Sequence, residues 1–134
     1  MNAQSRKVFL SCAAVAMTVL FLPGAAWAQG FKRTETQRHD LTGTNMEMIV
    51  ATVEAQPGAT LARHFHYGEE TVYVIQGGMI ETFEKKQEML PTGSTYINVR
   101  EVPHGGYKVL GDQPLKLLTV HVVDKGKPMT IPVK

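Results

Sequence analysis

Gly58-Ala59-Thr60-Leu61-Ala62-Arg63-His64-Phe65-His66-Tyr67-Gly68-Glu69-Glu70-Thr71-Val72-Tyr73-Val74-Ile75-Gln76-Gly77 holds the densest chemical information in the chain. Alternate residues of a strand share a face, so a strand over Thr60–His66 projects His64 and His66 together, about 7 Å apart along the backbone. Two imidazoles at that spacing can converge on one ion at about 2.1 Å each. Tyr67-Gly68-Glu69 reads as a turn, and Glu70 opens the next strand opposite the histidines. Downstream, His104 follows Pro103, behind Gly93-Ser94-Thr95-Tyr96-Ile97. His64, His66, Glu70 and His104 thus form a candidate mononuclear metal set. An isolated His-x-His is more often a surface or packing pair. The added Glu70, His104 and flanking glycines favour a metal here. Glu69 is the rival carboxylate, and its place within the turn suits a solvated charge.

Neutral imidazoles and one carboxylate suit a divalent transition ion: Fe, Mn, Co, Ni, Cu or Zn. Such an ion keeps positive charge, polarises bound oxygen and lowers the pKa of bound water. Four protein ligands leave coordination positions open. The methionines Met46, Met48, Met79 and Met89 read as core filler rather than soft copper ligands.

Outward from this stretch the pattern is β almost throughout. Strands are predicted over Met46–Val53, Thr60–His66, Glu70–Gln76, Met79–Glu84, Thr95–Val99, His104–Val109 and Leu115–Val123. Gln56-Pro57-Gly58 and Gly111-Asp112-Gln113-Pro114 mark turns. Gly77-Gly78 is read as a hairpin turn, and Lys85-Lys86-Gln87 as a polar break. Phe31–Leu41 fits an edge strand or a swapped arm, and Lys125–Lys134 an extended run over the surface. After residue 30 nothing shows helical periodicity. In Glu70–Gln76, parity puts Glu70, Val72, Val74 and Gln76 on one face and Thr71, Tyr73 and Ile75 on the other.

The first 28 residues resemble an export signal. Arg6 and Lys7 precede an apolar run from Val8 to Leu22, and Ala26-Trp27-Ala28 fits a small-x-small cleavage site. The run is short for a membrane span; a retained anchor is the alternative, and no stable membrane insertion is expected after cleavage. Ser5-Arg6-Lys7-Val8-Phe9-Leu10 resembles the twin-arginine motif, with Lys7 in place of the second arginine, so the general secretory route is favoured. A periplasmic or secreted protein is therefore expected. Of 14 basic residues cleavage removes two, leaving 12 against 12 acidic ones. A neutral chain without a basic stripe makes nucleic acid an unsuitable partner. Cys12, the one cysteine, lies within the signal, so residues 29–134 hold no disulfide framework.

The spacing Gly58, His64, His66, Glu70, Gly77 resembles the first motif of the cupin family at all five positions. For the second motif Gly93 and His104 match, while Val99, Glu101 and Lys108 stand where proline, glycine and asparagine are usual. The resemblance implies an all-β, antiparallel jelly-roll barrel (a double-stranded β-helix) over residues 29–134, a metal inside it, and frequent homodimerisation. Cupins include dioxygenases, isomerases, lyases, decarboxylases, sensors and binding proteins, so fold does not fix function.

Three functional readings follow. The first is an exported metalloenzyme acting on a small organic molecule, by oxygen-dependent cleavage or metal-assisted isomerisation. The second is a non-catalytic binder of a small molecule or metal. The third is a structural β-domain. Glu101 is a weak candidate acid or base at the cavity mouth, with a solvated loop charge the blander reading. His121, on the last long strand with Leu117 and Thr119, is a second weak candidate, with a structural histidine the blander reading.

Overall fold

Leu115–Asp124 alternates without interruption: every second residue, from Leu115 through Leu117, Thr119 and His121 to Val123, is buried. That period of two is the signature of a strand with one face on an interior. The computed structural model describes residues 30–133, all β and turn, with no helix among them. The expected export signal over residues 1–28, with Cys12, lies outside the described residues.

Ten strands follow in chain order: β1 (Phe31–Asp40), β2 (Met46–Ala55), β3 (Thr60–Phe65), β4 (Gly68–Gln76), β5 (Gly78–Thr82), β6 (Gln87–Leu90), β7 (Thr95–Asn98), β8 (His104–Val109), β9 (Leu115–Asp124) and β10 (Ile131–Pro132). They form two five-stranded sheets, ordered β1-β2-β9-β4-β7 and β10-β3-β8-β5-β6. All pairings are antiparallel. Successive strands repeatedly change sheet, which is the jelly-roll arrangement.

Three local expectations are corrected. Gly77-Gly78 is not a hairpin turn: β4 pairs with β7 and β9, and β5 with β6 and β8, so these glycines carry the chain from one sheet to the other. A Cβ on Gly77 would lie 2.0 Å from the Leu90 carbonyl oxygen, and only glycine passes there. The polar break at Lys85-Lys86 is a tight turn, with Lys85 in the left-handed region (φ 65°), and Gln87 already begins β6. The last residues do not simply cover the surface, because β10 pairs with β3 through Ile131↔Phe65 and Pro132↔His64. Phe31–Leu41 resolves to an edge strand, with a bulge between Glu35 and Gln37.

The apolar plug sits at one end of the barrel. Ala55, Ala59, Ile80, Val109 and Leu115 pack together, joined by Phe31, Leu90 and Tyr107. Burial of these side chains drives closure of the two sheets. Six residues along β9 from Leu115, about 20 Å away at strand rise, stands His121. Between these two points the interior opens into a cavity.

Candidate metal centre

Each sheet delivers a cross-strand pair to the cavity. In the second sheet His64 on β3 is the register partner of His104 on β8. In the first sheet Glu70 on β4 is the partner of His121 on β9. His66 lies just past β3, at the crossover between them. Gly68 permits that crossover to press against β9, since a Cβ there would stand 2.0 Å from the Val122 carbonyl oxygen. His64, His66, Glu70 and His121 are buried and His104 nearly so. Glu69 faces solvent. The parity reading of β4 holds from Glu70 to Val74: Val72 and Val74 line the cavity with Glu70, while Tyr73 and Ile75 are exposed. Gln76 lies beyond a register shift, is not part of the lining, and donates to the Pro114 carbonyl.

Imidazole orientation is set by main chain. Nδ1 of His64 lies 2.8 Å from the Ala62 carbonyl, and Nδ1 of His104 lies 3.0 Å from that of Val102. Nδ1 of His66 contacts the Met129 carbonyl. A carbonyl only accepts, so each Nδ1 donates and Nε2 is left to face the cavity. Nε2 of His66 and of His104 each stand 3.4 Å from Oε2 of Glu70, and Nε2 of His121 stands 3.2 Å from Oε1. Asn98, the partner of Glu70 on β7, donates to Oε2 at 2.7 Å.

Among the described residues, buried Nε2 of His66 and of His104 and Nδ1 of His121 have no hydrogen-bond partner. Lone pairs of neutral imidazoles facing a buried carboxylate repel it. Positive charge is required between them, as protons or as a cation. Burial pushes the Glu70 carboxyl up, but the facing His104, His121 and His66 imidazoles outweigh this and hold it far below the usual carboxylate range. Burial holds the His64 imidazole below its ordinary value. Burial also pulls on His104, but Glu70 and the Val102 carbonyl overcome it and raise its value.

The donor set suits a divalent transition ion. Two overlapping triads, His64–His66–His104 and His66–Glu70–His121, each place their ligand atoms within 4.8 Å of one another. The four residues expected from sequence therefore converge, and the structure adds a fifth. His121, read from sequence as a structural histidine or a weaker pocket candidate, lies at the cluster, its ring 4.7 Å from that of His66. Its inward parity with Leu117 and Thr119 was the available signal. Its pairing with Glu70 depends on contacts 51 positions apart in sequence and left no local trace.

Glu101 does not reach the cavity. Its side chain is exposed and pairs with Arg100 Nε at 3.6 Å. The residue adopts φ 58°, a left-handed conformation that glycine takes without strain. Its backbone serves the site instead: Glu101 N–H donates to the His66 carbonyl at 3.0 Å.

The cavity above the cluster holds about 610 Å³. Its wall is largely aliphatic and aromatic, including Val53, Leu61, Val72, Val74, Leu90 and Leu117, with Arg33, Tyr96 and Tyr107 also present. A hollow of about 310 Å³, lined mainly by Lys32, Thr34, Thr52, Glu54 and Lys116, contains none of the histidines.

The cupin domain family matches residues 51–121, more than half the chain and all five cluster residues. The chain belongs to the cupin family. Among solved structures, the cupin is similar to the polyketide cyclase RemF from Streptomyces resistomycificus: 22% identity over 80% of this chain and 73% of that one, TM-score 0.58. A cupin domain from Bordetella pertussis Tohama I matches at 19% identity over 72% of this chain and 96% of its own, TM-score 0.51. A chain from the crystal structures of the DMSP lyases RdDddP and RnDddQII matches at 22% identity over 65% of this chain and 44% of its own, TM-score 0.52. At these identities the likeness is one of fold. No curated protein sequence is significantly similar to the chain.

Proposed function

We propose that this cupin is an exported, mononuclear metal-dependent enzyme acting on a small organic molecule, by oxygen-dependent cleavage or metal-assisted isomerisation. The observation that carries the reading is the convergence of the Glu70 carboxylate with the Nε2 atoms of His66, His104 and His121 at 3.2–3.4 Å. His64, His66, Glu70 and His104 would hold the ion, with His121 as a further ligand or as the hydrogen-bond partner of Glu70. A bound divalent ion would supply a Lewis acid to polarise a substrate oxygen. The chain's own residues do the rest. Backbone carbonyls of Ala62, Val102 and Met129 hold three imidazoles in one tautomer. Asn98 holds the carboxylate. The apolar wall excludes water and binds the carbon skeleton of a ligand. Fold relatives from a polyketide cyclase and from the DMSP lyase structures support small-molecule chemistry in such a barrel. Export rests on the pattern of residues 1–28.

A second reading, a non-catalytic binder, is favoured by the wall itself. Apart from the cluster, its titratable side chains are Arg33, Tyr96 and Tyr107, and burial pushes the Tyr107 phenol further up. Metal analysis of protein taken from its native compartment, with turnover assays on diketones, phenols and sugar acids, separates the readings. About one ion per chain with turnover supports the enzyme. One ion without turnover, but with saturable ligand binding, supports the binder. No ion removes both metal readings.

A further inference from the structure

Arg33 is a guanidinium inside an apolar wall. It sits on β1 as the partner of Val53 and lines the same cavity as the histidine cluster. Its side chain is only 16% exposed. One terminal nitrogen, Nη1, lies 3.7 Å from the Glu35 carboxylate, too long for a hydrogen bond. Nε and Nη2 are buried and have no hydrogen-bond partner among the described residues. A buried donor without a partner is costly, and more so when charged.

The two free donors are adjacent. Nε–H and the neighbouring Nη2–H point the same way and form a fork that fits two carboxylate oxygens. Arg38, on the same strand, uses this edge: Nε and Nη2 each reach one oxygen of Glu35 at 2.9 Å. Glu35 is therefore engaged by Arg38 and leaves the fork of Arg33 open. The cavity's own carboxylate, Glu70, is enclosed by histidines and Asn98.

Position gives the length of the missing partner. Arg33 is in register with Val53, and Val53 with Leu117 on β9. His121 is four residues further along β9. Strand geometry separates the two backbones by about 13 Å along the sheet and about 10 Å across it. Both side chains line the one cavity, which leaves room for a molecule of a few carbons between them. The intervening wall is apolar, with Val53, Leu117, Val72 and Val74.

We infer that Arg33 anchors the carboxylate of a small organic acid, whose apolar body spans the cavity and whose other end, bearing an oxygen donor, meets the histidine cluster. The metal-directed end rests on the function proposed above; the carboxylate anchor does not. The ligand class is thus a monocarboxylic acid with a hydroxyl or carbonyl at the far end of a short apolar skeleton.

The test uses the mature protein, metal-free and loaded with one equivalent of Zn²⁺, titrated calorimetrically. The probes are para-hydroxybenzoate, para-hydroxyphenylacetate and para-hydroxyphenylpropionate, each beside its neutral primary amide. At least one acid should bind wild type about tenfold or more tightly than its amide, as expected for a paired charged hydrogen bond. Arg33→Gln should abolish that preference and leave amide affinity within about twofold. Arg33→Lys keeps the charge but loses the fork, and should retain a reduced preference. Circular dichroism checks each variant, and Arg33→Lys alone is read if Arg33→Gln does not fold. Equal binding of acid and amide, a preference that survives in Arg33→Gln, or no binding of any acid overturns the inference. If Zn²⁺ does not bind but the acid preference follows Arg33, the metal reading fails and the anchor stands. If Zn²⁺ binds and the preference is absent, the reverse holds.

Discussion

Glu70 and His121 are direct register partners on β4 and β9, with Oε1 and Nε2 3.2 Å apart. This places a fifth potential ligand, from the last long strand, against the carboxylate of the first motif. His121→Ala should weaken Zn²⁺ binding by about 10- to 100-fold, the range for partners that orient or complete a ligand set. His64→Ala and His104→Ala should weaken it at least as much, and Glu69→Ala should leave it unchanged. Competition with a chromophoric chelator measures all four. Loss of metal in Glu69→Ala with retention in Glu70→Ala would refute the ligand assignment.

Asn98 fixes the Glu70 carboxylate through a 2.7 Å hydrogen bond. Asn98→Ala should lower metal affinity about tenfold, because a charge-assisted hydrogen bond of about 1.5–3 kcal/mol is lost. The fold should persist, since Asn98 ends a short strand. Unchanged affinity, with an unchanged circular dichroism spectrum, would mean that Glu70 needs no such support.

Acid should act on the site before it acts on the fold. The folded state holds Glu70 below its ordinary value of 4.5 and His64 below 6.5. For both, the unfolded chain binds protons more readily, so their stabilisation is present at neutral pH. The His64 share declines as pH falls below about 6.5, and the Glu70 share only below about 4.5. His104, raised, works in the opposite direction: its contribution is present below 6.5 and is lost as pH rises. Metal loss should be steep, because several imidazoles must stay deprotonated to ligate. Metal release and β-sheet circular dichroism followed together in one titration should show release first. Metal fully retained well below pH 4 would rule out histidine ligation.

Homodimerisation is expected from the outer face of the first sheet. Tyr73 and Ile75 on β4 are 44% and 45% exposed, and beside them on β7 and its following loop Ile97 and Val99 are 69% and 54% exposed. A contiguous apolar patch of this kind marks an association surface. Light scattering should give a dimer at micromolar concentration, and Ile97→Asp should shift it to monomer. A wild-type monomer under those conditions would discard the expectation.

Export predicts a mature chain beginning at or near Gln29. N-terminal sequencing of the protein recovered from outside the cytoplasm should find that residue. An intact Met1 on soluble cytoplasmic protein would count decisively against it.

Local pattern made the strands legible. Period-two alternation located β2, β3, β4, β7, β8 and β9 within a few residues, and motif spacing located four of the five cluster residues. Strand partners were not legible, because pairings such as β2 with β9 join distant segments. That is why Gly77-Gly78 looked like a hairpin and why Asn98 and His121 escaped notice as neighbours of Glu70. Arg33 was hidden for a related reason: on a polar edge strand it looks like any surface charge until the cavity is seen. Met129 contributes only a carbonyl to His66, and main-chain roles leave no mark on residue type.

The cluster draws its side chains from both sheets: His64 and His104 from one, Glu70 and His121 from the other. The apolar plug joins those sheets at the opposite end. An ion at the cluster would act as a rivet between the two layers, linking β3 and β8 to β4 and β9. Backbone amides near the cluster would then exchange with solvent only when the whole barrel opens, whereas those of the stripped protein would exchange through local parting of the two layers. Occupancy of the centre would set not just how stable the barrel is but whether its two halves can breathe independently.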